Sequence, residues 1–198
     1  MQYGFYFDQT RCTGCAACIV ACKDWHDVPA GPESWLRVVT IEKGDRHELF
    51  VAWLVSMCVH CAEPACLPVC PFGAIAKRES DGIVTVDADL CLGASSCGHC
   101  REACPYNAPQ FIGGEGAMRK CDLCLARWER GQNPVCVMAC PMRALDAGPI
   151  EVLRDRYGSA ATAAEGFIPH PGRPAILFKP KPDPWARSGK PCRCSAVP

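Results

Sequence analysis

The segment CTGCAACIVAC, residues 12–22, carries four cysteines in the order Cys-x2-Cys-x2-Cys-x3-Cys. Three thiols within seven residues would overcrowd a single tetrahedral ion. A loop can instead wrap them around three irons of one cubane cluster, while the fourth cysteine follows in a short helix that points away. The spacing therefore predicts that one group of cysteines serves two neighbouring clusters.

The same pattern recurs three more times along the 198 residues. Sixteen of the eighteen cysteines fall into four groups, and each group ends in Cys-x3-Cys, with proline following in the last three. The candidate cofactor ligands, group by group, are Cys12, Cys15, Cys18, Cys22; Cys58, Cys61, Cys66, Cys70; Cys91, Cys97, Cys100, Cys104; and Cys121, Cys124, Cys136, Cys140. Repetition at this level indicates a duplicated metal-binding motif.

The composition argues against several other classes of protein. Lys+Arg and Asp+Glu both number 21, so the chain has no net charge with which to attract nucleic acid. No run of apolar residues is long enough to span a membrane, and the first residues lack the features of an export signal. We therefore expect no membrane span and no export by a signal of its own. Without such a signal, clustered cysteines are more typical of metal ligands than of disulfides.

Iron–sulfur clusters explain the cysteine spacings better than zinc does. The first group has the spacing of bacterial ferredoxins, and the other three are variants of it. Structural zinc sites usually use two cysteine pairs separated by a longer linker, which only the fourth group resembles. The predicted cofactors are four [4Fe-4S] clusters, with a structural zinc or iron–sulfur module as the alternative.

The order of the groups predicts how they pair. Groups two and three are adjacent and form an inner two-cluster unit, so groups one and four must pair across the chain. Because the last cysteine of each group serves the neighbouring cluster, the predicted sets are Cys12/Cys15/Cys18/Cys140, Cys121/Cys124/Cys136/Cys22, Cys58/Cys61/Cys66/Cys104 and Cys91/Cys97/Cys100/Cys70.

The predicted fold class is α+β, with two ferredoxin-like bis-[4Fe-4S] units built from short strands and helices, and an extended C-terminal tail. The predicted divisions are a ferredoxin half with a hairpin insertion (1–57), the inner unit (58–110), the second half of the outer unit (111–150), and a helix with a Pro-rich tail (151–198). Strands are predicted at 3–7 and 82–87, a hairpin at 35–41 and 49–55 with residues 43–45 in its turn, and helices at 122–130 and 149–157. From about residue 160 we expect little core, and either a strap lying on a partner or a poorly ordered terminus.

Beyond the cysteines, several short segments of the sequence are informative. They are YGF at 3–5, RCTGC at 11–15, ACKD at 21–24, PYNAPQ at 105–110, RALD at 143–146, GPI at 148–150 and FKP at 178–180. Together with the cysteine groups, they make the sequence resemble the four-cluster electron-transfer subunits of molybdopterin oxidoreductases, and most closely the iron–sulfur subunit of dimethyl sulfoxide reductase. The resemblance runs over nearly the full length.

The resemblance implies a non-catalytic electron-transfer subunit of an oxidoreductase complex. Its implied partners are a large molybdopterin-binding catalytic subunit and a quinone-reactive membrane anchor, which would hold the chain peripherally at the cytoplasmic membrane. Two alternatives remain open: a free polyferredoxin that shuttles electrons, and the equivalent subunit of a polysulfide, thiosulfate, tetrathionate or arsenate reductase.

The third group departs from the family pattern, because five residues rather than two separate Cys91 from Cys97. The inserted residues are small, so we expect them to bulge out and leave all four ligands in place. The alternative is that Cys97 is displaced, giving a three-iron cluster or an unusual ligand.

Several other residues lie close to the predicted ligands. The basic pairs Lys77-Arg78 and Arg119-Lys120 could offset anionic clusters, but a solvated face is the simpler interpretation. His60 could tune a cluster or lie in a loop near solvent. Cys192 and Cys194 are interpreted as spare thiols in the tail.

Overall fold

A computed structural model describes the chain over residues 1–45, 48–114 and 116–184. The strands are β1 (Tyr3–Asp8), β2 (Leu36–Asp45), β3 (Glu48–Met57), β4 (Ile75–Lys77), β5 (Val84–Val86), β6 (Leu145–Pro149) and β7 (Ile176–Lys179). The helices are α1 (Ala17–Trp25), α2 (His99–Ala103), α3 (Leu125–Trp128), α4 (Val135–Ala139) and α5 (Ile150–Tyr157). Short elements and small sheets agree with the predicted mixture of helix and strand. Cys192 and Cys194 lie outside the described residues.

Strand β1 is the centre of a three-stranded sheet, antiparallel to β6 and parallel to β7. Phe5 and Phe7 enter the main core, while Tyr6 packs on the opposite face with Leu153 of α5. Since both faces of β1 are covered, the strand has no polar alternation before its last residue, Asp8. The strand predicted at 3–7 is confirmed.

The predicted hairpin is confirmed as β2 and β3, but it is longer than predicted. Lys43, Gly44 and Asp45 were expected in the turn, and instead they pair with Phe50, Leu49 and Glu48 as part of the ladder. The apolar side of the hairpin packs into the main core, which also contains many of the cysteines. Gly44 therefore lies within the ladder and not in the turn.

A smaller core lies around β4 and β5, the latter falling within the strand predicted at 82–87. It consists of Ile75, Val84, Cys100, Phe111 and Met118. Because it is so small, we expect the groups that bind between its cysteines to contribute much of its stability.

Two helix predictions had different outcomes. The segment 122–130 was predicted to be helical, but only Leu125–Trp128 forms a helix there. Leu123 and Cys124 have positive φ angles of 61° and 51°, which no continuous α-helix can include. The helix predicted at 149–157 is confirmed as α5 and ends at Gly158, where φ is 62°.

The prediction of little core beyond residue 160 is wrong for part of that segment. Strand β7 pairs in parallel with β1, and Ile176 and Phe178 are buried in the main core. Gln9 then holds the following residues, because its side chain accepts the backbone N–H of Lys181 at 3.3 Å. Within the described residues, no helix is both long and apolar enough to cross a bilayer.

Candidate iron–sulfur sites

Three of the four predicted cysteine sets each line a single cavity. Site A contains Cys12, Cys15, Cys18 and Cys140. Site C contains Cys58, Cys61, Cys66 and Cys104. Site D contains Cys70, Cys91, Cys97 and Cys100. In each cavity the remaining lining is largely apolar, so it can exclude water from a bound group.

The fourth set, site B, brings together Cys22, Cys121, Cys124 and Cys136. These four thiols are all buried. Burial raises the pKa of these thiols, and their closeness to one another raises it further. Cys124 raises the pKa of Cys22, Cys22 raises that of Cys121, and both Cys22 and Cys124 raise that of Cys136. Cysteines 99 or more residues apart thus lie side by side, through packing of α1 against α4.

Burial raises the pKa of many of these thiols, so they stay protonated at neutral pH when no metal is bound. It raises the pKa of Cys18 to about 11, of Cys22 to about 12 and of Cys66 to about 12. A thiolate in such a place needs a metal to compensate its charge. None of these sixteen cysteines is joined to another by a disulfide. The residues present therefore fit an iron–sulfur cluster, whose iron binds thiolate.

Backbone N–H groups point at several of these sulfurs. Met118 donates to Cys91 Sγ at 3.3 Å, Ala144 to Cys140 Sγ at 3.3 Å, and Leu123 to Cys121 Sγ at 3.4 Å. Such hydrogen bonds stabilise negative charge on sulfur and tune a cluster. Sequence reasoning did not find these donors, because they depend on how each loop turns.

A tight turn at Gly14 positions the first cysteine loop beside site A. Gly14, with φ of 69°, lies so close to Trp53 that an added Cβ would be 2.2 Å from its Nε1 atom. Only glycine fits there, since both the backbone angle and the indole exclude a side chain. This contact fixes the first cysteine loop against strand β3.

The residues between Cys91 and Cys97 do not displace either thiol from site D, and two of them, Leu92 and Gly93, line its cavity instead of bulging out. Gly93 has φ of 80°, and a Cβ there would lie 2.4 Å from the carbonyl oxygen of Gly116. Cys91 and Cys97 both line the cavity with Cys70 and Cys100.

His26 is an unpredicted neighbour of site B. Its Nε2 atom lies 3.5 Å from Cys124 Sγ and 3.7 Å from Asp122 Oδ1, and its ring packs on Trp35 at 4.3 Å between centroids. Burial lowers the pKa of His26, and Asp122 partly opposes that effect. The imidazole can donate a hydrogen bond to a Cys124 thiolate.

The four sites follow one another in a row. Cys18 of site A lies close enough to raise the pKa of Cys136 in site B, and Cys58 of site C does the same to Cys121. Val84 lines site C, and Val86, two residues along β5, lines site D. The order is therefore A, B, C, D, with sites A and D at the ends.

Three residues near the ligands are less exposed to solvent than the simpler interpretation of the sequence predicted. Lys120 is buried rather than solvated, and Lys77 is partly buried. His60 is completely buried, and its Nδ1 accepts the backbone N–H of Val84 at 3.1 Å. Their surroundings are described below.

Comparison with known proteins agrees with these sites. Two models described as 4Fe-4S dicluster domain match residues 11–75 and 49–150. The chain is 46% identical to the probable anaerobic dimethyl sulfoxide reductase chain YnfG of Escherichia coli (strain K12), over 90% of this chain and 89% of that protein. A second anaerobic dimethyl sulfoxide reductase chain of that strain is also 46% identical, with the same coverage. The identity to the corresponding reductase chain of Haemophilus influenzae (strain ATCC 51907 / DSM 11121 / KW20 / Rd) is 44%, over 94% of this chain and 92% of the relative.

The fold and sites thus define an iron–sulfur electron-transfer protein that binds four [4Fe-4S] clusters. The chain belongs to the family of iron–sulfur subunits of dimethyl sulfoxide reductase. It is an electron-transfer subunit of an oxidoreductase complex, and a catalytic chain is its partner there.

Proposed function

We propose that the chain relays electrons between a quinone-reactive membrane subunit and a large molybdopterin-binding catalytic subunit that reduces dimethyl sulfoxide. The observation that carries the proposal is the row of four cysteine sites, from site A to site D. The names of the relatives support the reductase assignment, since those proteins are dimethyl sulfoxide reductase chains. The chain itself would be peripheral at the cytoplasmic membrane through its partners.

The ligands we propose are the sixteen cysteines of sites A to D. In each site three thiols come from one cysteine group and the fourth comes from the cysteine group with which it pairs. A [4Fe-4S] cluster supplies one-electron transfer and makes no bond to the substrate. The chain's own residues hold each cluster's position, exclude water with apolar side chains, and donate N–H groups to sulfur. Groups two and three would form the inner ferredoxin-like unit, 58–110, and groups one and four the outer one.

Both ends of the row have exposed apolar side chains. Met142 lines site A and is 43% exposed. Phe72 and Leu92 line site D and are 43% and 54% exposed. Exposed apolar groups beside a buried redox site favour contact with a protein partner, which would bring its own redox group close and keep water out.

The test is electron transfer through the assembled complex. A membrane complex is isolated anaerobically with this chain and the chains produced with it, and its iron–sulfur absorption is followed. We expect a quinol to bleach the absorption and dimethyl sulfoxide to restore it.

The matched variant is the same complex with Cys66→Ser, which interrupts site C in the middle of the row. In that variant, dimethyl sulfoxide should restore the iron–sulfur absorption much more slowly. Unchanged recovery in that variant would contradict the relay. Reduction and reoxidation by soluble enzymes alone, with no catalytic or membrane chain retained, would instead show a free polyferredoxin.

A further inference from the structure

Lys120 is a buried lysine whose ammonium group binds backbone carbonyl oxygens. Its side chain is about as inaccessible as a core leucine, at 5% exposed. Its Nζ atom donates to the carbonyl oxygen of Val84 and, at 3.1 Å, to that of Cys121. Among the described residues, no carboxylate oxygen lies within 4.0 Å of this ammonium. A buried charge without a counter-charge is costly, so the structure must supply negative charge in another form.

The position of Lys120 indicates what that negative charge is. Val84, whose carbonyl it binds, lines site C. Cys121, whose carbonyl it also binds, belongs to site B. The ammonium acts against burial by lowering the pKa of Cys66 and of Cys104, both members of site C. Four thiolates on a bound cluster are the natural counter-charge.

Lys77 is a second lysine whose ammonium group lies beside site C. Its Nζ atom donates to the carbonyl oxygens of Cys61 at 2.9 Å and Gly82 at 3.1 Å, and to Gln2 Oε1 at 2.7 Å. It is less buried than Lys120, and burial lowers its pKa, which Cys61 and Cys58 of site C raise in opposition. Its effect on site C should be the weaker of the two.

The buried His60 beside site C adds no charge. Burial, Lys120 and Lys77 together hold the pKa of His60 well below its usual range. Its Nδ1 accepts a hydrogen bond, which also requires a neutral ring. The positive charges that act here are therefore the two lysines and Arg37, whose pKa burial lowers and Cys104 of site C raises.

Site B lacks such an excess of positive charge. There Arg127 lowers the pKa of Cys124, but Asp122 raises it. The neighbouring sites B and C thus differ in the balance of fixed charges around them.

We propose that Lys120, assisted by Lys77, is a potential-setting residue that compensates the charge of the cluster at site C and raises the reduction potential of that one cluster. Reduction adds an electron to an already anionic group, and a fixed positive charge nearby stabilises the added charge. This inference rests on the proposed ligand set of site C, and it does not depend on which partners the chain has.

The test is an EPR-monitored redox titration of the anaerobically purified iron-loaded chain. Lys120→Met removes the charge and keeps the length, Lys120→Arg restores the charge, and Lys179→Met removes an exposed lysine that faces Asp8. We expect Lys120→Met to lower the midpoint of one transition by at least tenfold in its reduction equilibrium, about 59 mV for one electron. Lys120→Arg and Lys179→Met should leave that midpoint near its original value.

The affected transition is identified by Cys66→Ser, which should alter the same signal. If Lys120→Met loses iron, Lys77→Met is titrated instead, and a smaller shift of the same transition supports the proposal. The proposal is overturned if neither lysine variant shifts the site C transition, if Lys120→Arg shifts it as far as Lys120→Met does, or if all four transitions move together. Since the titration needs no partner, a chain that fails the quinol and dimethyl sulfoxide assay can still show the shift.

Discussion

Sites B and D hold four cysteines each, but they are built differently. At site B all four thiols are buried, and they come from two segments that are far apart in the sequence. At site D only Cys100 is buried, and its cysteines all lie within residues 70–100. Site B lies in the main core and site D against the small one. The two sites show the same ligand chemistry in a long-range and a local setting.

The contrast teaches which site the fold depends on. Closing site B joins the first cysteine loop to the last, which costs conformational entropy that the bound cluster must offset. Closing site D joins residues that are already near one another in the chain. Site B should therefore govern the stability of the whole protein, and site D mainly its own occupancy.

The largest expected difference follows from removing one ligand at each site. Cys136→Ala should abolish much of the fold, because Cys136 is 4% exposed and joins both halves of site B. Cys97→Ala should remove about four irons or fewer and leave the remaining structure intact. Iron analysis and near-UV circular dichroism measure both effects. Equal loss of dichroism in the two variants would break the comparison.

Removing all iron should make the compactness of the chain depend on whether its buried thiols are protonated. The iron-free chain should be molten, and it should expand further as the pH rises. Burial raises the pKa of Cys18 to about 11 and of Cys22 to about 12, whereas an exposed thiol in an unfolded chain titrates at about 8.5.

The sign of this pH effect follows from those raised values. The preference for a buried neutral thiol is fully present below about pH 8.5 and is lost as the pH rises through about 11 to 12. The radius of gyration from small-angle scattering should grow over that range. A constant radius, or native-like near-UV dichroism without iron, would contradict the account.

A glycine substitution sharpens the comparison at site D. Gly93→Ala places a Cβ 2.4 Å from the Gly116 carbonyl oxygen and forces alanine to a φ of 80°, at a cost of about 1–3 kcal/mol. We expect iron to be lost from site D alone. Gly98→Ala is the matched control, since nothing lies within 4 Å of its added Cβ. Equal iron content in both variants would show that the close contact of Gly93 with Gly116 does not position Cys97.

The smallest effect is expected at site B, from His26. His26→Phe keeps a ring on Trp35 and removes the Nε2 atom near Cys124 Sγ. Losing a hydrogen bond to sulfur should lower the midpoint of one cluster by less than tenfold in its reduction equilibrium, under about 59 mV. A redox titration of the variant measures this. An unchanged midpoint would mean that His26 only packs.

The sequence predicted the cysteine groups and the strands near them, because ligand spacing and β1 are local features. It predicted the hairpin but not its length, since a glycine can be tolerated within a strand ladder. The tail strand β7 was missed because its pairing with β1 lies some 170 residues away along the chain.

The buried lysine also escaped prediction. Arg119 and Lys120 form one basic pair in the sequence, yet Arg119 is exposed and Lys120 is buried. Arg119 pairs with Gln110 in an isolated β-bridge, so neighbouring side chains point to opposite sides. A sequence shows that two charges are adjacent, but only the folded chain shows which of them faces the cluster.

The central claim is that four cysteine sites each hold one [4Fe-4S] cluster. Iron and zinc analysis combined with an EPR-monitored redox titration of anaerobically purified protein tests it most directly. The account predicts about sixteen irons per chain, no zinc and four one-electron transitions. Stoichiometric zinc with no reducible signal would contradict it.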